Sequence, residues 1–170
     1  MRIRHSSRVG RVMTVAVAVL AVVMGCAPAQ GITASVDQND PAAVITKVIE
    51  TMFSWQPGKD TSPADAFTRA KPLLSAPLAA QQPDLAGPQA GSQWHDWAYA
   101  RATIAANAVI VADEHPPDTP DKVFRVVAIK QAIGGPKVGA GDATGNEINS
   151  TAWVTAVRTS QGWRVDSIQT

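Results

Sequence analysis

Across 170 residues, 15 basic side chains nearly balance 14 acidic ones, and four of the basic ones fall within the first 11 positions. Beyond those four the balance is 11 basic against 14 acidic, which excludes a basic nucleic-acid-binding surface as the organising feature. The single cysteine, Cys26, excludes an internal disulfide, and the roughly 140 residues after it suffice for one domain with its own core.

Arg2, Arg4, Arg8 and Arg11 precede the apolar run Val12–Met24, and Gly25, Cys26 and Ala27-Pro28-Ala29 follow it. A basic region, an apolar stretch and a small-residue processing site make an export signal, not a fold element. Three fates are open. Val23-Met24-Gly25-Cys26 resembles a bacterial lipoprotein box, with Cys26 as the lipid-attachment residue. Ala27-Pro28-Ala29 offers ordinary cleavage before Gln30. Without cleavage, the segment is a signal anchor with its arginines inside, although its 13 residues fall short of the ~20 that a spanning helix needs. The expected division is 1–26 as signal peptide or membrane anchor, 27–39 as a flexible polar tether and 40–170 as a single domain. The expected location is the extracytoplasmic face of the cell membrane.

Asp40-Pro41 opens a helix, with aspartate as N-cap and proline at the first position, where its missing N–H costs nothing. Val44, Ile45, Val48, Ile49, Met52 and Phe53 then form one apolar stripe opposite Lys47, Glu50 and Thr51. Ser62-Pro63-Ala64-Asp65 starts a second helix, Ser62 capping and Asp65 completing a weaker capping box. Ala66, Phe67 and Ala70 face inward, and Pro72 ends it. Ser75 to Gln82 is a short third helical piece, closed by Pro83, and a loop runs to Gln93. Ala98 to Ala112 reads as a long strand, β-branched toward its end. Lys122 to Ile133 alternates as a second strand, and Gly134 to Asn149 reads as a glycine-rich loop. Thr151 to Thr159 and Trp163 to Ile168 form the last strands around the tight turn Ser160-Gln161-Gly162. Helices followed by three to five antiparallel strands predict an α+β domain, with N-terminal helices packed on a curved antiparallel sheet. Trp153, Val157, Trp163 and Val165 are candidates for the sheet face that meets them.

Chemistry-bearing constellations are sparse. His95 and His115 lack metal-ligand spacing, and His95-Asp96, read on a strand, would point to opposite faces. Asp96 and Tyr99 fall on opposite strand faces in the same reading, which argues against an isomerase-like carboxylate and phenol pair. Gly139, Gly141 and Gly145 imitate a nucleotide loop without its lysine or following helix. Asp113, Glu114, Asp118 and Asp121 read as a hydrated acidic edge without calcium-loop spacing. No catalytic residue, metal site or cofactor is expected. Trp94, Trp97 and Tyr99 follow a loop and are the expected lining of a ligand or partner pocket.

Phe53-Ser54-Trp55, Asp60-Thr61-Ser62-Pro63-Ala64-Asp65-Ala66, Pro72-Leu73-Leu74-Ser75, the Trp94/Trp97 pair and the ending Gly162-Trp163-Arg164-Val165 give residues 45 to 170 a resemblance. The layout resembles the cystatin-like cone of the nuclear transport factor two superfamily. Within it, the chain is similar to the periplasmic-type domains of conjugation and type IV secretion scaffold subunits, and more narrowly to actinobacterial exported proteins encoded with conjugative or integrative elements. Those subunits carry an uncleaved transmembrane helix, from which a lipoprotein box would depart. The resemblance implies a non-enzymatic, membrane-attached scaffold with a lipid anchor and other envelope or secretion-system proteins as partners. The alternative on the same fold is a small-molecule carrier or sensor using the cone cavity, and after it an isomerase-like enzyme.

Overall fold

A computed structural model describes residues 35–81, 91–136, 138 and 147–170. Cys26, the whole leader and the Gly139/Gly141/Gly145 loop lie outside the described residues. Helices α1 (Pro41–Phe53), α2 (Pro63–Ala70), α3 (Ala76–Ala80) and α4 (Ser92–Ala100) precede strands β1 (Thr103–Val111), β2 (Lys122–Gly134), β3 (Glu147–Thr159) and β4 (Gly162–Gln169). A 3-10 turn, Lys71–Leu73, follows α2. The strands form one four-stranded antiparallel sheet in sequential order. The fold class is therefore α+β.

The caps follow the sequence. The Asp40 carboxylate accepts from Ala42 N–H at 2.8 Å and opens α1. Ser62 Oγ accepts from Ala64 N–H at 3.2 Å, while Asp65 reaches back to the N–H and hydroxyl of Thr61 at 2.6 and 2.9 Å. The capping box therefore closes on Thr61, one residue before the cap. Those hydrogen bonds hold the Asp65 carboxyl below the usual carboxylate range.

The apolar stripe of α1 lies across the sheet and touches all four strands. Val44, Ile45, Val48 and Ile49 are fully buried there, against Val127, Ala152, Ala156 and Val165 among others. Each of the four contributes roughly 1.5–3 kcal/mol by leaving water. The inward set of β3 is Ala152, Val154 and Ala156, whereas Trp153 is 52% exposed. The expectation for Trp153 was thus one position out of phase. Small residues, not the bulky ones, are what allow a helix to lie close on the strand.

In β4 the phase is changed by a bulge: Thr155 pairs with Ser167 but Ala156 pairs with Val165, leaving Asp166 as the extra residue. Strict alternation would send Val165 and Ile168 to opposite faces, and the bulge keeps both with Trp163 against the core.

A second correction concerns Ala98–Ala112. Only Thr103 onward is strand, and Ser92–Ala100 is helical. The helix ends on Arg101, left-handed at φ 52°, with Arg101 and Ala102 N–H bonded to Ala98 and Trp97 carbonyls at 3.1 and 2.8 Å. Burial of Trp94 and Trp97 on one side of the helix accompanies it, and the β-branched residues beyond carry the strand.

Both outer strands are partly covered. On the β4 side, Ser75 N–H donates to Val165 O and Trp163 N–H to Gln38 O, each at 2.7 Å. On the β1 side, Trp55 and Ile104 exchange two bonds of 2.9 Å. Packing thus begins before Asp40: Val36 lies against the core, so the last part of the expected tether belongs to the domain. Gly162, at φ +101°, sits where a Cβ would lie 2.5 Å from Gln38 O. Gly162→Ala is therefore expected to destabilise the fold by roughly 2 kcal/mol or more in urea unfolding, through backbone strain and loss of this contact. Arg101→Gly removes a left-handed non-glycine residue and is expected to raise stability by about 1 kcal/mol in the same assay.

Candidate functional site: an open sheet face and an edge groove

The outward set of the sheet is legible from the register. Four of its rows run Ala105–Ala132–Glu147, Asn107–Lys130–Asn149, Val109–Ala128–Thr151 and Val111–Val126–Trp153–Gln169, and Phe124–Thr155–Ser167 and Lys122–Val157–Arg164 follow them. No described helix lies across these rows; the α1 stripe and its core are on the opposite side. Val109 and Trp153 are 53% and 52% exposed. The only charges in the four rows are Lys130 and Glu147, which pair at 2.8 Å. Val126, next to Trp153 and Val111 in register, is 1% exposed even though it is on this outer face. These four rows thus mix seven apolar with six polar residues and carry no net charge, with a half-exposed tryptophan in the fourth. Exposed aromatic surface of this kind is a hallmark of binding sites.

Beside Trp153 a cleft of about 250 Å³ is lined by Glu114, His115, Pro116 and Arg125 among others. The Arg125 guanidinium grips Asp118 through both carboxylate oxygens, at 2.9 and 2.8 Å. This bidentate pair holds the Asp118 carboxyl below its ordinary range and raises Arg125. It fixes the loop before β2, and Phe124 N–H adds a bond of 3.2 Å to the same carboxylate. His115 places Nδ1 at 2.8 Å from Pro116 O. Among the described residues no group of three or more His, Cys, Asp or Glu is disposed to hold a metal ion.

A larger groove of about 690 Å³ runs between α1 and the β1 edge. Lys47, Glu50 and Thr51 of α1 form one wall, Lys59 and the Asp60–Arg69 pair another, and Ile104–Ala106 the floor. Arg69 bonds Asp60 at 2.6 and 3.1 Å and Ser54 O at 3.0 Å.

The tryptophans expected to line a pocket sit differently. Trp94 and Trp97, three apart on α4, face the same way and are 5% and 8% exposed. Their rings lie 6.1 and 6.2 Å from that of Trp55 in tilted packing, and Trp55 Nε1 donates to Met52 O at 2.8 Å. Together with Ala66, Ala102 and Ile104 they make a second core cluster. Tyr99 is 79% exposed. The helix also revises the geometry of His95, Asp96 and Tyr99: Asp96 and Tyr99 share a helix side, and all three are exposed.

Sequence reasoning placed Arg164 in the last strand but gave no sign of its burial. It is 6% exposed, and among the described residues it donates to two neutral acceptors, Trp163 O at 2.7 Å and Gln161 Oε1 at 3.4 Å. Burial pulls its pKa below the usual guanidinium range. A terminal Gly-Trp-Arg-Val hairpin carries no signal that would reveal this burial.

No family model, no curated protein and no solved structure matches this chain.

A carboxyl depressed in the folded state stabilises above its unfolded pKa and loses that contribution as pH falls through the folded value. The Asp118–Arg125 pair is therefore fully present at neutral pH and lost progressively below about pH 4. Asp118→Asn is expected to flatten the acid limb of the stability–pH profile and to lower stability at pH 7 by well under 1 kcal/mol, because the pair is partly exposed. Urea unfolding between pH 3 and 7 checks both.

Proposed function

We propose that this chain is a non-enzymatic interaction domain held at the extracytoplasmic face of the membrane, and that it serves as an envelope component of a conjugation or secretion apparatus. The export leader supports the address, with Cys26 as the lipid-attachment residue. The observation that carries the interaction role is the one-sided sheet. One face is filled by α1 and an apolar core, while the other presents Trp153 and Val109 to solvent.

That division favours a protein partner over a carrier using an internal cavity. The space between α1 and the sheet is taken up by Val44, Val48, Val127 and Val165. Among the described residues every buried side-chain nitrogen or oxygen has a hydrogen-bond partner, so the interior offers no idle polar group to a small molecule. The order of helices and sheet also supports the cone-like architecture of the nuclear transport factor two superfamily as the proposed fold relationship.

Photo-crosslinking in the native cell tests the reading. A photoreactive residue at Val109 is expected to give a discrete adduct with another envelope protein. One at Thr68, on the helical side, is expected to give none. Trp153→Ser should reduce the Val109 adduct several-fold while leaving the melting temperature within a few degrees. Cys26→Ala should leave the leader unprocessed. Full solubility of the wild-type chain in the cytosol, or adduct yields unchanged by Trp153→Ser, would overturn the proposal.

A further inference from the structure

We propose that the cleft beside Trp153, on the outer face of the sheet, binds an uncharged pyranose ring of an envelope glycan. The inference goes beyond the protein-partner reading and rests on it only for the location outside the membrane.

Strand register builds the cleft. Phe124 and Val126 of β2, Trp153 and Thr155 of β3, and Ser167 and Gln169 of β4 all lie on the outer face, in two adjacent rows. At about 4.8 Å between strands and about 6.8 Å between alternate residues, they make a patch of roughly 10 by 7 Å. Glu114, His115 and Pro116, from the loop after β1, line the same cleft, whose volume is about 250 Å³. The chemistry changes from strand to strand across the patch. Its β2 side is apolar, with Phe124 half-buried and Val126 closed off from solvent. Its β4 side carries a hydroxyl and an amide. Between them stands Trp153, 52% exposed. An aromatic face beside a polar rim matches a sugar ring, which has C–H groups on its faces and hydroxyls around its edge.

Uncommitted hydrogen-bonding groups choose the occupant. Among the described residues, Trp153 Nε1, Thr155 Oγ1, Ser167 Oγ and the Gln169 amide have no hydrogen-bond partner within the protein. Together they offer donors and acceptors and no charge. An apolar occupant would strip water from them and return no hydrogen bond. An anion would need a cation, and the arginine on the lining is already spent: Arg125 is held by both Asp118 oxygens and by Phe124 O. An ammonium group would meet Glu114, but it only donates, so the indole and amide N–H groups would stay unmatched. A hydroxylated ring both donates and accepts, and its C–H face covers the indole. This site lies on the surface, apart from the interior that α1 fills.

The test uses the full-length chain, in a detergent without a sugar head group, and uncharged tetrasaccharides of β-linked glucose, β-linked N-acetylglucosamine and α-linked mannose. At least one should bind saturably in saturation-transfer NMR, with the strongest transfer to the C–H protons of one ring face. Trp153→Ala should weaken that binding at least about tenfold. Trp153→Phe should weaken it less, because it keeps an aromatic face and loses only Nε1. The Ser167→Ala/Gln169→Ala double variant should weaken it about tenfold. An unchanged melting temperature checks the fold of each variant. Three results overturn the proposal: no binding of any of these sugars, binding untouched by Trp153→Ala or by the double variant, or tighter binding of a glucosamine or galacturonate tetramer than of the neutral ones. A Val109 adduct in cells with no saccharide binding would dismiss the cleft and leave the protein-partner reading standing. Saccharide binding with no such adduct would do the reverse, and the absence of both would dismiss both.

Discussion

The last residue of α1 and the two that follow it stitch the helical layer to the sheet, and the rest of the arrangement depends on them. Gln131, 2% exposed, donates its side-chain amide to Phe53 O at 2.7 Å. Ser54 Oγ takes the N–H of Ala106, and Trp55 exchanges two bonds with Ile104. The carbonyls at a helix end and the main-chain groups at a sheet edge are both costly to bury unpaired. Here each set satisfies part of the other. The junction sets where α1 lies on the sheet, where the tryptophan cluster forms, and where the β1 edge is left open.

This junction also divides the interior in two. Inside it lies the apolar core of α1, Phe67 and the inward strand residues, Trp163 among them. Beyond it lies the cluster of Trp55, Trp94 and Trp97, with Phe53 and Ile148 at its border. Trp55 belongs to both devices, since its backbone pairs with β1 while its ring packs against α4. One residue thus ties the first helix, the last helix and the first strand together. The Phe53-Ser54-Trp55 segment contributes a carbonyl, a hydroxyl and an indole to three different neighbours.

Much of the architecture was legible because local signals and burial agreed. Asp40-Pro41 and Ser62-Pro63 announced helix starts, and the 44/45/48/49/52 stripe announced the buried face. The strands from Lys122 onward followed their β-branched alternation. The failures have identifiable causes. Ser92–Ala100 was mistaken for part of a strand approach because its alanines and aromatics have no strong helical period. The inward face of β3 was assigned to its largest side chain, whereas close approach of α1 selects alanine. The bulge at Asp166 has no composition signal, because it is a property of the pairing rather than of either strand alone. For the candidate surfaces, the sequence pointed to tryptophans but could not separate Trp153, which faces solvent, from Trp94 and Trp97, which face Trp55. The edge groove was invisible, since Lys47, Lys59 and Ala106 come together only through the helix–sheet junction.

The short contact between the leading segment and the final hairpin has a mechanical implication. Gln38 O receives the Trp163 N–H, and Gly162 leaves room for it. Any pull transmitted from the N-terminal side therefore reaches β4 before it reaches α1. The load enters beside the β3–β4 turn, at the opposite edge of the sheet from β1. Tension on the leading segment would loosen this small latch first, letting a few more residues pay out as slack while the helix–sheet core keeps its shape.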